Sequence, residues 1–162
     1  MKPRGYFGIG VVHSKTAHNI GTLLRSANVM GAAFVFTVGR RYGTQASDTM
    51  RTDRHLPLYH YDSIDDLVAH LPVGCQLIGI ELDDRSVPLH HARHPMQACY
   101  LLGAEDSGLS GDDRAKCHRL IEIQGPTRCL NVAVAGSIVM YDRLRALHRE
   151  AVLGSVVAVG EG

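Results

Sequence analysis

The sequence feature that most constrains the fold is a run of small residues, Leu130-Asn131-Val132-Ala133-Val134-Ala135-Gly136. It follows the loop Gln124 to Cys129, and that loop follows the short apolar segment Leu120 to Ile123. This order predicts a buried strand, a bent loop and a helix that packs closely through small side chains. Two further segments, 19–27 and 102–109, also combine glycines with a few polar side chains. The three segments together are more informative than any one of them.

Short apolar segments alternate with helical patterns along the whole chain. The predicted strands are 7–12, 33–38, 76–82, 98–103 and 120–123, and the predicted helices are 18–30, 63–71, 110–116 and 130–149. Buried strands separated by helices predict an α/β fold with a mostly parallel sheet flanked by helices. Ligands of such sheets bind beyond the carboxyl ends of the strands, so we expect the three segments to meet at one pocket.

Length and composition are those of one globular domain. The chain has 162 residues, of which 45% are hydrophobic and 20% charged, and we expect a single domain over 1–153 followed by a flexible tail over 154–162. No apolar run approaches the ~20 residues that cross a bilayer, and no signal-type segment follows the N-terminus. Without such segments, we expect a cytoplasmic protein. The four cysteines form no C-x-x-C pair, and Cys75 and Cys99 lie at or in apolar, strand-like segments, so we expect reduced thiols in the core.

The segment Leu102 to Leu109 combines two glycines with acidic side chains. Gly103 would let the backbone approach a ligand closely, and Gly108 suits a turn with positive φ. An ordinary strand-to-helix turn is the alternative interpretation. The segment is neither a Walker loop nor G-x-G-x-x-G, so dinucleotide binding would lack its usual phosphate site.

Other candidate residues also have plain structural alternatives. Arg25 could extend to solvent from its helix or point into a site, while Asn19 and Asn131 could simply cap helices. Cys129 is a weak candidate nucleophile, since no histidine is visibly dedicated to it. The histidines 90, 91 and 94 lie between two prolines, which favours a surface loop over a metal site, and we expect no metal.

At these residues the chain resembles the SpoU-type (TrmH-like) branch of the SPOUT RNA methyltransferases. The family pattern has three blocks: N-x-G-x-x-x-R-x-A, then L-G-x-E-x-x-G-L, then a strand, a loop and an L-N-V-S-V-A helix. The first block is present here as Asn19, Gly21, Arg25 and Ala27, the second as Leu102, Gly103, Glu105, Gly108 and Leu109, and the third as residues 121–135. The blocks span nearly the whole chain.

The resemblance implies a C-terminal deep trefoil knot that binds S-adenosylmethionine, mainly through backbone groups. By position, the implied cofactor-binding residues are Leu82, Gly103, Ile121, Ile123, Cys129 and Leu130. It also implies a homodimer whose active site is completed across the interface, and methyl transfer to a ribose 2′-hydroxyl of tRNA or rRNA. The single-domain build favours tRNA.

The implied chemistry gives Arg25 a role. A ribose hydroxyl becomes a strong nucleophile only when it loses its proton, so the protein must stabilise the developing alkoxide. A guanidinium keeps its own proton but can supply that stabilisation and clamp a phosphate, with Asn19, Glu105 and Asn131 orienting it. The net charge of +1 does not indicate nucleic acid, but one segment concentrates arginines suited to RNA phosphates: Arg40, Arg41, Arg51 and Arg54.

Three departures from the family pattern keep other interpretations open. Glu122 replaces a common proline, and Cys129 and Ala133 replace two serines. The missing serines leave open a catalytically inactive protein that binds RNA or the cofactor. An rRNA methyltransferase also remains an alternative, since the three blocks do not identify the RNA. A nucleotide-dependent oxidoreductase is a third, although the missing G-x-G-x-x-G counts against it.

Overall fold

The computed structural model describes residues 5–42, 55–127 and 130–159. Seven strands and four α-helices follow one another in this part of the chain. The strands are β1 Tyr6–Val12, β2 Phe34–Val38, β3 Leu58–Tyr61, β4 Gln76–Ile80, β5 Val87–Pro88, β6 Gln97–Leu102 and β7 Arg119–Glu122. The helices are α1 Ala17–Val29, α2 Ile64–Ala69, α3 Gly111–Lys116 and α4 Val132–Val159, with a short 3-10 helix at Leu89–His91.

The strands form one sheet in the order β3-β2-β1-β6-β4-β7-β5. Each pair of neighbouring strands is parallel. The register places Val11 of β1 beside Leu102 of β6, and Ile80 of β4 between Leu102 and Ile121 of β7. The carboxyl ends of these strands therefore lie along one edge of the sheet. The predicted α/β class with a mostly parallel sheet is confirmed.

Side chains alternate between the two faces of the sheet, as they do in any strand. Phe7, Ile9 and Val11 pack into a core with residues of α1 and α4. The opposite face packs Val12 and Phe36 against α2. Both faces are covered, which explains why the central strands are apolar along their whole length. Cys75 and Cys99 are buried free thiols, as expected.

The structure adds elements that the apolar pattern does not predict. β3 lies inside the 39–61 segment, for which the sequence shows no periodicity, and β5 is only two residues long. Both are edge strands, where one side of the ladder is exposed and the apolar signal is weak. α4 continues to Val159, past the expected helix end at 149 and into the expected tail, because no proline interrupts it.

His94 is not on a surface loop, contrary to expectation. Its side chain is buried, with Nδ1 2.6 Å from the Tyr100 hydroxyl and Nε2 3.0 Å from Asp142 Oδ2. Arg143 is buried beside it and donates from Nη2 to the carbonyl of Met96 at 2.9 Å. These contacts attach the middle of α4 to the amino end of β6. The prolines correctly indicate irregular backbone, but they carry no information on burial.

Candidate active site

A cavity of about 550 Å³ opens at the carboxyl ends of β4 and β6. Its walls come from the loops that follow these strands, from the residue after β7 and from the first turn of α4. The lining residues are Ile80, Glu81, Leu82, Leu102, Gly103, Ala104, Glu105, Asp106, Ser107, Gly108, Ile123, Leu130, Asn131, Val132 and Ala135. The carboxyl ends of β4, β6 and β7 and the start of α4 thus meet at this edge of the sheet.

Gly103 is required where β6 enters the cavity wall. A Cβ on this residue would lie 2.2 Å from the backbone carbonyl carbon of Gly108, which no real contact allows. The turn that follows β6 therefore folds back directly onto Gly103, closed by two backbone hydrogen bonds between Ala104 and Gly108. The glycines of the second block serve this close approach of backbone to backbone.

The Glu105 carboxylate connects the turn after β6 to the loop after β1. Its Oε1 accepts hydrogen bonds from Ser14 Oγ at 2.7 Å and from Asn19 Nδ2 at 2.8 Å, and its Oε2 accepts one from the Lys15 amide at 3.0 Å. Desolvation alone would raise the pKa of this carboxyl, but these donors outweigh it and lower the pKa to about 2. Glu105 is therefore a permanently ionised acceptor near neutral pH.

Asn131 and Asn19 are joined directly. Asn131 Nδ2 donates to Asn19 Oδ1 at 3.0 Å, and Asn131 Oδ1 accepts from the amides of Ala133 at 2.9 Å and Val134 at 3.3 Å. Asn131 is thus the N-cap of α4 and is also hydrogen-bonded to Asn19. With Asn19 donating to Glu105, a continuous chain of hydrogen bonds links the three sequence blocks. The structure thus shows the capping role of Asn131, and its role in a site stays a prediction.

Arg25 lies on the exposed side of α1, six residues after Asn19. At ~1.5 Å of rise per residue, this places it about 9 Å further along the helix. It does not line the cavity. Thr22, one turn earlier on the same side, lines an apolar groove between α1 and α4. The structure therefore brings Asn19, Glu105 and Asn131 together, while Arg25 lines neither the cavity nor the groove.

The residues expected to bind a cofactor fall into three groups. Leu82, Gly103, Ile123 and Leu130 line the cavity. Ile121 is buried within β7 and does not line it, although its carbonyl accepts a hydrogen bond from the Glu81 amide at 3.0 Å. Cys129 lies outside the described residues.

The structure describes two of the four arginines that are expected to contact RNA. Arg40 and Arg41 are exposed directly after β2, at the edge of the sheet that also holds the cavity. The Arg40 guanidinium lies 5.7 Å from the centre of the Tyr42 ring. Arg51 and Arg54 lie outside the described residues.

Sequence reasoning missed the loop that follows β1. Ser14 is buried and, like the amides of Lys15 and Thr16, donates to Glu105, while the Lys15 ammonium pairs with Asp106. It also missed Glu81, which lines the cavity. Polar residues that directly follow a buried strand are a usable signal for both positions.

Two features are absent from the residues that the structure describes. Within 5–42, 55–127 and 130–159, no three histidine, cysteine, aspartate or glutamate side chains are grouped as metal ligands would be. No helix in the same part of the chain combines the length and the apolarity needed to cross a membrane.

Curated relatives match most of this chain. The tRNA (guanosine(18)-2'-O)-methyltransferase of Escherichia coli strain K12 is 29% identical over 133 residues, which cover 79% of this chain and 58% of that protein. The 23S rRNA (guanosine-2'-O-)-methyltransferase RlmB of Acinetobacter baylyi is 26% identical over 137 residues, covering 79% and 55%. The chain thus spans little more than half the length of these relatives.

Solved structures share the fold. The AdoMet-bound rRNA methyltransferase from Sinorhizobium meliloti superposes with a TM-score of 0.78 at 22% identity, over 90% of this chain and 58% of that one. A protein solved to study the 2-OH methylation of C/U34 on tRNA superposes with a TM-score of 0.75 at 24% identity, over 90% of this chain and 98% of that one.

A family model covers the chain from β1 into α4. The SpoU rRNA Methylase model matches residues 7–141, which include all three blocks and the chain of hydrogen bonds between them. The protein belongs to the SpoU rRNA Methylase family.

Proposed function

We propose that this protein is an S-adenosylmethionine-dependent RNA methyltransferase that acts on a ribose 2′-hydroxyl of tRNA. The single observation that carries the proposal is the hydrogen-bonded series Asn131–Asn19–Glu105 beside the cavity. These three residues come from the three blocks of the family pattern, and they meet where a parallel sheet binds its ligands.

The cavity fits the proposed cofactor in size and charge. Its volume of about 550 Å³ lies within the ~300–1,000 Å³ typical of small-molecule sites. The described lining holds three carboxylates, those of Glu81, Glu105 and Asp106, and neither lysine nor arginine. The Lys15 ammonium, outside the lining, pairs with Asp106, so Glu81 and Glu105 carry the excess negative charge. Such a wall favours a ligand with positive charge and no phosphate, such as a sulfonium, and disfavours a dinucleotide. We propose that Leu82, Gly103, Ile123 and Leu130 contact the cofactor, with Ile121 supporting them from β7.

The bound cofactor supplies an activated methyl group, and the chain's own residues must prepare the acceptor. We assign to Arg25 the stabilisation of the developing alkoxide and the clamping of an adjacent phosphate, because a guanidinium can do both while staying charged. Glu105 fixes the loop after β1 through Ser14 and Lys15. Asn19 and Asn131 hold α1 against the start of α4, which sets the position of the helix that carries Arg25.

A homodimer would bring Arg25 to a second copy of the site. The groove between α1 and α4 is lined by Thr22, Ala133, Val134, Ser137, Ile138 and Tyr141. Its apolar side chains are exposed in the single chain, Val134 by 44%, Ile138 by 38% and Tyr141 by 61%. A second copy of this chain would cover them. Since Arg25 follows Thr22 by one turn, it would then lie at the subunit boundary, which supports an active site shared by two protomers.

RNA would approach the edge of the sheet that holds the cavity. Arg40 and Arg41 are exposed there, and arginines suit phosphate contacts.

A cytoplasmic location, threading of the C-terminal segment through an earlier loop and a single domain over 1–153 stay predictions. The alternative of an inactive binding protein rests on Cys129 and Ala133, where the family pattern has serines, and Cys129 lies outside the described residues. Ala133 is buried and its amide still donates to Asn131, so the backbone contact does not need a hydroxyl.

Methyl transfer from tritiated S-adenosylmethionine to bulk tRNA and, separately, to bulk rRNA tests the proposal. We expect label in tRNA. Label in rRNA alone would keep the reaction and change the substrate. Cofactor binding without label in either RNA would favour the inactive alternative. Stabilisation by NAD but not by S-adenosylhomocysteine in a thermal melt would favour an oxidoreductase instead.

A further inference from the structure

Glu81 is the first residue after β4, and its carboxylate is fixed by two backbone amides. Oε2 accepts a hydrogen bond from the Leu109 amide at 2.6 Å, and Oε1 accepts one from the Leu82 amide at 2.9 Å. Leu109 lies just after the turn that follows β6. One side chain therefore joins two separate loops of the cavity wall.

The turn after β6 is shaped to receive this carboxylate. Gly108 has a φ of +64°, and a Cβ on it would lie 2.2 Å from Glu81 Oε2. The carboxylate thus occupies the space that a side chain at position 108 would need. Hydrogen bonds from Ala104 to Gly108 and back close the same turn. Glu81 on one side and Gly103 on the other hold the backbone of residues 103–109 in one conformation.

We propose that Glu81 is a positioning residue for the cofactor: it fixes the turn 103–109 and the backbone of Leu82 in the shape that the cofactor requires. This inference rests on the proposed function. The hydrogen bonds described for the two carboxylate oxygens come from backbone amides and not from a proposed catalytic side chain. Glu81 therefore affects cofactor binding by fixing the backbone. Hydrogen bonds from two backbone amides to a carboxylate are stronger than the corresponding bonds to a neutral side chain.

Substitution of Glu81 should therefore weaken cofactor binding and leave the chemical step intact. In Glu81→Gln only one side-chain oxygen remains, and the new amide meets a backbone N–H. We expect the Kd of S-adenosylhomocysteine, measured by titration calorimetry, to rise by about tenfold or more. Under saturating S-adenosylmethionine the kcat of methyl transfer should stay within about twofold of the parent. Amide hydrogen exchange should become faster at Leu82 and Leu109 and stay unchanged at Ala133.

Asp84→Asn is the matched control. It removes the same charge three residues further along the same loop, from an exposed side chain. If loss of negative charge alone weakened binding, both variants would show it. We expect the Kd of Asp84→Asn to stay within about twofold of the parent.

Gly108→Ala gives a second test that does not depend on Glu81→Gln alone. Its methyl group would collide with the carboxylate in the parent but not in a Glu81→Ala background. Its positive-φ strain is the same in both backgrounds. We therefore expect the two substitutions to be non-additive, with Gly108→Ala raising Kd less in Glu81→Ala than in the parent.

The outcomes separate this inference from the proposed function. A parent protein that binds no S-adenosylhomocysteine overturns the proposed function. A parent that binds it, with Glu81→Gln binding equally well, overturns the role of Glu81 alone. A loss of kcat at saturation in Glu81→Gln, without a change of Kd, would also overturn it.

Discussion

Asn131 donates from Nδ2 to Asn19 Oδ1 at 3.0 Å, across 112 positions of sequence. The same Asn131 side chain caps α4, and the same Asn19 side chain donates to Glu105. An amide suits Asn131 because it can accept from the helix and donate to Asn19 at once. The first turn of α4, the start of α1 and the turn after β6 are therefore fixed relative to one another by three side chains.

Asn131→Asp separates the capping role from the bond to Asn19. A carboxylate still caps α4, but it cannot donate to Asn19 Oδ1. We expect the melting temperature to stay close to that of the parent and kcat/KM for methyl transfer to fall by about tenfold or more. Asn131→Ala should lose both contacts and, in addition, about 1 kcal/mol of stability.

Ser110→Ala is the control for capping. Ser110 caps α3, where its Oγ accepts from the Asp113 amide at 3.1 Å, and it does not line the cavity. It should lose stability without losing kcat/KM. Full activity in Asn131→Asp would show that the bond to Asn19 plays no part in catalysis.

Arg25→Ala should abolish transfer while cofactor binding persists. Removing a group that stabilises developing negative charge costs about 10²- to 10³-fold in kcat. The Kd of S-adenosylhomocysteine should change little, because Arg25 does not line the cavity. Arg93→Ala, at an exposed position before β6, is the matched loss of a guanidinium and should remain active. An active Arg25→Ala variant would remove Arg25 from the mechanism.

Ile138→Asp should convert a dimer to monomers. It places a charge in the middle of the apolar groove between α1 and α4, where a partner would have to bury it. Sedimentation velocity should show a halved mass, and methyl transfer should fall with it because the shared site is lost. Val73→Asp, at a side chain that is 99% exposed outside the groove, should change neither. A parent protein that sediments as a monomer and is active would contradict the shared site.

We expect the stability of the folded protein to fall in mild acid because His94 is buried against Tyr100 and Asp142. Burial lowers the pKa of His94, and although Asp142 opposes this shift, Arg143 and Arg145 reinforce it. Because the folded state prefers the neutral ring, its contribution is complete above the unfolded pKa of ~6.5 and is lost as pH falls below it. The melting temperature of the parent should fall between pH 7.5 and 5 by more than that of His94→Gln. His90→Gln, at an exposed position, should follow the parent; identical profiles for the parent and His94→Gln would contradict the prediction.

The fold could be predicted where side-chain pattern and burial coincide. The helix expected over 18–30 is α1, and α2 lies within the helix expected over 63–71, where Ser63 is the N-cap and accepts from the Asp66 amide at 3.1 Å. The edge strands could not be predicted in this way, since β3 is only half-buried and β5 contains a proline. Long-range contacts leave no local signal, so His94 was assigned to a surface although Tyr100 and Asp142 enclose it.

The candidate site was predictable for a related reason. Asn19, Glu105 and Asn131 each lie at a strand end or a helix start, and parallel topology brings such positions together. Glu81 falls inside the strand expected over 76–82, whereas β4 ends at Ile80, and its partner in the turn is a backbone amide 28 positions away. Single residue types do not reveal such partners. In the proposed homodimer, the position of Arg25 relative to the site depends on a second chain, which one sequence does not place.

The most direct test of the central claim is the identity of the methylated nucleoside. RNA labelled by the purified protein with S-adenosylmethionine would be digested to nucleosides and resolved by mass spectrometry. A 2′-O-methylated nucleoside, absent from the Arg25→Ala reaction, is the predicted result. A methyl group on a base would contradict the role of Arg25 and the assignment of the ribose hydroxyl as acceptor.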